Sequence, residues 1–372
     1  MDSLTQIVLG AACGEAAMGR KIGNKALLFG AIGGTIPDLD VFIGNWIYDN
    51  QIDAMLFHRG FMHSIVFAIL AAFLFGWLMH KGYEKGKESN SIEFVFSFFG
   101  KFIISKFLFN WYSKYKNEEN STRKDWTWLF FLSIFTHPLL DCFTGYGTQL
   151  FLPFSNYRVA FSNISVADPS YTLPFLLCLI IMMFFNRKNP IRKLWLKLGL
   201  GISSVYMLFT IGNKFYINSV FEKTLAEKGI KYNRYNTEAS ILNNILWFGI
   251  AETDTDYHVG FYSLFDTKSS FTDWETIPKN HGVISNTNPD LAQLTWFSNN
   301  YYNLKENEDG TYIYSDLRYP SIDTGNGKSA VFSFIVYKDG NRLNMKSFTP
   351  EFDENVTIWD ILGIFWERIK GK

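Results

Sequence analysis

From Phe61 to Met79 the chain runs nineteen residues with no charge except the one His63 would carry on protonation. As a helix rising 1.5 Å per residue, that stretch is roughly 28 Å long and matches the hydrocarbon core of a bilayer. Runs of similar character extend from Lys25 to Gly44, Trp126 to Phe143, Tyr171 to Phe185 and Leu194 to Gly212, with a shorter one, containing Glu15, from Leu4 to Gly19. The expected fold class is therefore an α-helical polytopic membrane bundle of about five or six membrane helices, followed by a soluble α+β domain. A composition of 48% hydrophobic and 18% aromatic residues against 19% charged agrees, and it excludes disorder, collagen and coiled coil.

Lys and Arg near helix ends stay on the cytoplasmic side, which orients the bundle. They gather in four clusters: Arg20, Lys21 and Lys25; Lys81, Lys85 and Lys87; Lys114, Lys116, Arg123 and Lys124; and Arg187, Lys188, Arg192, Lys193 and Lys197. With all four cytoplasmic, Ile92 to Tyr112, which holds Lys101 and Lys106, is expected to lie in the membrane plane as a helix or shallow hairpin. Gly145 to Asp168 has a single basic residue, Arg158, and is expected outside. Met1-Asp2 offers no basic leader, so the first helix is expected to stay in the mature protein. Basic and acidic residues each total 35, which gives no overall excess for a nucleic-acid partner. Cys13, Cys142 and Cys178 fit neither zinc nor disulfide spacing and are expected as small packing residues.

The expected domains are a membrane-embedded helical domain over 1–213 and an extracytoplasmic α+β domain with an antiparallel sheet over 214–372. The turn signals Asp309-Gly310 and Asp339-Gly340 sit between alternating runs, Thr311 to Tyr314 and Ala330 to Tyr337. A helix over Phe215 to Lys228 leads in, and an amphipathic helix over Val356 to Ile369 closes the domain. Asp254/Asp256 reads as a turn.

Ionisable groups within spans cost about 2.5–3.5 kcal/mol each on insertion scales and mark sites. Three sets stand out. Asp38 and Asp40 follow Gly33-Gly34 and Pro37 and offer hard oxygen ligands, or else cap the next helix. His58 and His63 offer imidazole nitrogens, and they converge if His58 lies on the loop before the helix; beside them Arg59 can hold an anionic oxygen, and all three can instead meet lipid head groups. His137 and Asp141 lie one turn apart across Pro138, where the helix is expected to kink or restart; they face a common point or form a supporting hydrogen bond. The charge clusters put all three sets at one outer membrane face. Three His and three Asp at one level suffice for one or two divalent metal ions, with zinc preferred, and leave positions for water. Glu15 is a weaker candidate at the cytoplasmic end beside Arg20.

The opening Met1-Asp2-Ser3-Leu4-Thr5-Gln6-Ile7-Val8-Leu9-Gly10, Pro37-Asp38-Leu39-Asp40, His58-Arg59-Gly60 with His63-Ser64, and His137-Pro138 with Asp141 together resemble the YdjM-like family of predicted membrane-bound metal-dependent hydrolases. Ile245-Leu246-Trp247 with Tyr257 and Val259-Gly260 is similar to the C-terminal extension of one subgroup. The resemblance implies that Asp38, Asp40, His58, His63, His137 and Asp141 are metal-site positions with Arg59 beside them, in a multi-pass protein of the bacterial inner membrane. Many members have His where this chain has Gln6, and a neutral amide suits hydrogen bonding better than ligation.

The expected function is a membrane-bound metal-dependent hydrolase whose metal-activated water attacks a lipid-linked or amphiphilic phosphoester, ester or amide at the outer face. Arg59 would stabilise developing charge, and an uncoordinated carboxylate among Asp38, Asp40 and Asp141, Asp40 first, would serve as base. Membrane lipids are the expected surroundings. The rival is a non-catalytic protein with a structural metal site and a partner-binding outer domain. There is no P-loop and no G-x-S-x-G elbow.

Overall fold

The computed structural model describes residues 1–89, 120–285, 287–353 and 356–372. The segment expected to lie in the membrane plane, Ile92 to Tyr112, falls outside the described residues. Among the described residues, seven helices of eight or more residues precede the tail's first strand: α1 (Ser3–Ile22), α2 (Asn24–Thr35), α3 (Asp40–Ile47), α5 (Ile65–Ser89), α6 (Arg123–Asp141), α7 (Pro169–Met183) and α8 (Pro190–Glu227), with the short α4 (Gln51–Phe57) between α3 and α5.

Each apolar run is helical, but length and composition qualify fewer of them as spans than expected. Among the described residues, α5 over Ile65–Tyr83 and α8 are long and apolar enough to cross a membrane. The pair α2 and Pro37–Ile47, bent by 43°, makes a third if counted as one broken span. The reasons are physical. α7 has only 15 residues, about 22 Å of helix, α6 opens with Arg123, Lys124 and Asp125, and α1 carries Glu15 and ends in Arg20 and Lys21. Pro138 does not restart the helix: α6 continues through it to Asp141, its start fixed by a capping box between Thr122 and Asp125.

Two buried clusters hold the bundle together. Val8, Ala12, Leu140, Phe175 and Met182 join α1, α6 and α7; Met18, Phe29, Ala68, Trp126 and Phe130 join α1, α2, α5 and α6. The tightest approach is between α1 and α2, through glycine. A Cβ on Gly14 would lie 2.0 Å from the Ala26 carbonyl oxygen, and one on Gly34 would lie 2.5 Å from that of Gln6. Backbone cannot give way as a side-chain tip can, so Gly14→Val is expected to cost at least the ~1–3 kcal/mol of an overpacked core. Gly201→Ala, in open space on α8, is expected to stay within about 1 kcal/mol of wild type. Thermal unfolding in detergent checks the pair, and equal stability of the two variants would contradict this packing.

The tail begins as the continuation of α8. The expected boundary after Asn213 falls within this helix, which is about 57 Å long. Its last turns bury Ile217, Val220, Phe221 and Leu225 against an antiparallel meander of β1 (Arg234–Ala239), β2 (Leu246–Glu252), β3 (Asp256–Ser263) and β4 (Thr272–Pro278). A second sheet has the order β10-β9-β6-β5, from β5 (Tyr302–Glu306), β6 (Tyr312–Asp316), β9 (Ser333–Asp339) and β10 (Arg342–Ser347). A small hairpin, β7 (Ser321–Asp323) with β8 (Lys328–Ala330), lies between β6 and β9 in sequence. The two Asp-Gly turns sit where expected, with Gly310 and Gly340 at φ of 77° and 61°.

The tail is docked on the bundle. Ile52 of α4 is buried among Leu291 and Leu294 of α9 (Pro289–Phe297) and Tyr302, Tyr314 and Leu343 of the second sheet. Arg342 pairs with Asp53 at 2.7 Å and Asp290 at 2.6 Å. The last helix, α10 (Ile358–Ile369), does not close the domain with its apolar side as expected. It is tied down at its end, where Arg368 meets Asp266 and Asp273, and leaves Trp359, Ile364 and Trp366 exposed.

Candidate metal centre

The site forms where four elements meet. Pro37 opens a single 3-10 turn, Pro37–Leu39, between α2 and α3, which turns Asp38 inward and leaves it partly exposed. His58 caps the end of α4, and His63 ends a second 3-10 turn, Phe61–His63, just before α5. Both histidines therefore stand outside regular α-helix, which lets side chains five residues apart approach each other, with ring centres 5.7 Å apart. His137 and Asp141 lie at i and i+4 on α6 and share a face.

Four atoms converge. His63 Nε2 lies 3.5 Å from Asp38 Oδ1 and 3.4 Å from Asp141 Oδ2, and His137 Nε2 lies 3.3 Å and 3.5 Å from the same two oxygens. His63 Nε2, His137 Nε2 and Asp141 Oδ2 are buried and have no hydrogen-bond partner. Buried polar atoms are seldom left so. Ligands about 2.1 Å from a shared zinc ion in tetrahedral array stand about 3.4 Å from one another, so spacing and donor chemistry both suit a metal ion. Asp38, His63 and His137 form a candidate group whose ligand atoms all lie within 4.8 Å of one another; Asp141 is not part of that group. Asp141 joins them through its closeness to both imidazoles.

Apart from the Arg59 guanidinium 3.2 Å from Asp141 Oδ2, the surroundings leave these atoms free to ligate. His137 Nδ1 donates to the Gly34 carbonyl at 2.6 Å, which puts the lone pair of a neutral ring on Nε2. The glycine contact of α1 and α2 thus also delivers the carbonyl that orients this candidate ligand. His63 Nδ1 lies 3.0 Å from Asp40 Oδ2. Asp141 Oδ1 accepts from Gln6 Nε2 at 2.8 Å and from the Met1 amino group, so only Oδ2 faces the two histidines. Gln6 hydrogen-bonds, as its amide suggested.

Asp40 and His58 stand one step outside the four. Fully buried Asp40 accepts from the Arg59 backbone N–H at 2.9 Å and holds His58 Nδ1 at 2.8 Å, besides facing His63. Arg59 has φ of 58°, which is uncommon for a residue with a side chain. That conformation lets its N–H reach Asp40 while its guanidinium meets Asp141 Oδ2 at 3.2 Å and Thr144 Oγ1 at 3.0 Å. Tyr146 was not singled out from the sequence. Its ring packs 4.7 Å from the Arg59 guanidinium carbon and 5.5 Å from the His58 ring, and burial pushes its hydroxyl pKa up. No polar pattern marks such a tyrosine; only the Asp141–Thr144 turn, which carries the chain back over the site, brings it there.

Glu15 does not face the interface beside Arg20. It is buried and makes a two-pronged pair with Arg192, both contacts at 2.6 Å, among α1, α2, α7 and α8. His281, in the tail, stacks on Tyr302 with ring centres 4.0 Å apart.

No curated protein and no solved structure matches the chain. The bent α2–α3 hinge, the two 3-10 turns and the His-Pro helix all lie within residues 1–215, where the model of the YdjM inner membrane protein family matches, and the chain belongs to that family.

Proposed function

We propose that this protein is a multi-pass inner-membrane hydrolase in which Asp38, His63, His137 and Asp141 hold one divalent metal ion, zinc by preference. It would cleave a lipid-linked or amphiphilic phosphoester, ester or amide at the outer face. What carries this reading is the set of inward-facing donor atoms at 3.3–3.5 Å, three of them buried without hydrogen bonds. When bound, such an ion lowers the pKa of a water towards neutrality and polarises the oxygen of the bond to be cut.

The chain's own groups supply the rest. Arg59, held by Asp141 and Thr144, is placed to bind an anionic oxygen. Asp40 has its oxygens engaged with His58, Arg59 and His63, so it acts as a positioning residue, fixing the ring of His58 as the carboxylate of a catalytic triad fixes its histidine. His58, 23% exposed, presents its other nitrogen as the proton acceptor. Asp38, at 27%, is the most exposed of the four ligands, which leaves substrate a side from which to approach and suits catalysis better than a closed structural ion.

We further propose that α1, α6 and α7 cross the membrane with α5, α8 and the bent pair. The buried Glu15–Arg192 pair supports this, since it turns the charges of α1 and α8 inward. The basic cluster at the start of α8 and the sheets at its end lie at opposite ends of one long helix, which supports an extracytoplasmic tail. The exposed Trp359, Ile364 and Trp366 of α10 suit the lipid interface.

Hydrolysis of short-chain phosphoester, ester and amide lipids by metal-loaded protein tests the activity. Turnover is expected to stop with a chelator and to fall about 10²-fold or more in Arg59→Ala at unchanged metal content. Full turnover by the metal-free protein would defeat the proposal. A reporter active only in the cytoplasm, fused after Lys372, is expected to be silent.

A further inference from the structure

Arg158 lies on the outer loop, residues 142–168, and the metal centre as described above makes no use of it. It immediately precedes Val159, which is bridged to Thr148, and it stands beside Gly147 at φ of 85°. A Cβ on Gly147 would stand 3.0 Å from that of Arg158, so glycine permits the approach. Arg158 Nη2 donates to the Gly147 carbonyl at 2.9 Å, while Nε and Nη1 are buried with no hydrogen-bond partner. Among the described residues no carboxylate pairs with it, although Arg59 has Asp141 and Arg318 has Asp316 at 2.6 Å.

The three guanidinium groups are interleaved with two rings. Arg158 lies 5.2 Å from the Tyr146 ring centre and 5.1 Å from that of Phe297; Arg59 lies against Tyr146 at 4.7 Å and Arg318 against Phe297 at 5.1 Å. Burial pushes the Arg158 pKa down to about 10, and Arg318 and Arg59 push it the same way. Aromatic faces offset part of the cost of a buried cation, but they give Nε and Nη1 no acceptor, and a charged donor without an acceptor is costly. The planar guanidinium is matched to phosphate oxygens. A surface groove of about 590 Å³ lies nearby, lined by Phe57, Asn156 and Trp296, whose ring is 5.5 Å from Arg158.

We propose that Arg158 binds a phosphate group of the substrate through its unpaired N–H groups, one aromatic ring away from Arg59. The substrate is then an amphiphile carrying phosphate beyond the bond that is cut, a lipid phosphate or diphosphate rather than a neutral ester or amide. The placement beside a cleavage site rests on the hydrolase proposed above; the binding itself does not.

The full-length protein in phosphatidylcholine nanodiscs tests this by thermal unfolding and calorimetric titration. Pyrophosphate, compared with sodium chloride at equal ionic strength, is expected to raise the wild-type Tm. In Arg158→Gln the shift should vanish and affinity fall about tenfold or more, with Arg158→Lys in between. Metal content should not change in either variant. Wild type that lacks metal yet binds pyrophosphate through Arg158 would end the hydrolase reading and leave this site standing. Nanodiscs with added phosphatidate form a second arm: a shift with phosphatidate alone assigns the phosphate to a lipid headgroup, and a shift with pyrophosphate admits a soluble phosphate too. No shift with either, or an equal shift in Arg158→Gln, overturns the proposal. Should Arg158→Gln not fold, the wild-type shift and its partial loss in Arg158→Lys decide.

Discussion

The His63→Ala protein is expected to leave purification with almost none of the metal that accompanies the wild type. His63 Nε2 lies within 3.5 Å of both ligand carboxylates, and nothing else among the described residues brings an imidazole nitrogen to that point except His137. Removing it leaves one nitrogen and two carboxylates, a set with much less preference for zinc over harder cations. Asp141→Ala should lose metal as completely, and it also frees Arg59, Gln6 and the Met1 amine, which all meet that carboxylate. Asp40→Asn should behave differently. Groups that orient a ligand are worth about 10–100-fold in metal affinity, so this variant is expected to bind metal more weakly rather than lose it. His58→Ala should retain metal and lose turnover. Elemental analysis after dialysis at graded chelator concentration separates the three grades; equal metal in wild type, His63→Ala and Asp141→Ala would remove the metal centre from this protein.

How much of this was legible in the sequence follows from the kind of signal each feature carries. Asp38, His63, His137 and Asp141 were visible because ionisable groups are rare within apolar runs. Their division from Asp40 and His58 was not. It depends on two 3-10 turns, at Pro37–Leu39 and Phe61–His63, that turn neighbouring side chains to different distances from the centre. The sheet domain was visible through its Asp-Gly turns, whereas the reach of α8 into it was hidden, since a helix leaving lipid keeps its period while its composition changes. Pro138 misled because proline removes one backbone hydrogen bond, which a helix packed on both sides tolerates. Arg158 gave no signal at all: a lone arginine in a loop acquires meaning only when folding surrounds it with Tyr146 and Phe297.

Arg192→Met is expected to be among the most destabilising single changes in the bundle, by about 3–5 kcal/mol, the cost of leaving one partner of a buried ion pair uncompensated. Arg192 holds both oxygens of Glu15 at 2.6 Å, the Asn24 side chain at 2.6 Å and the Phe185 carbonyl at 3.1 Å, so one deletion strands acceptors on α1, α2 and the end of α7. Glu15→Gln should cost less, because an amide still accepts from Arg192 and the guanidinium keeps Asn24 and the carbonyls. The double variant Glu15→Leu with Arg192→Met should recover much of the loss, since an apolar pair of similar volume often replaces a buried ion pair without penalty. Lys21→Ala, which breaks the partly exposed pair with Asp125 at 2.6 Å, should cost no more than about 1 kcal/mol. Thermal unfolding of the four variants in detergent gives the order, and a double variant less stable than Arg192→Met alone would contradict it. The pair stands at the basic end of the bundle and the metal centre at the other, with α1 running between them. Metal bound by those variants that still fold should therefore match wild type, because the ligands are positioned by α6 and the two 3-10 turns rather than by the clasp at the far end.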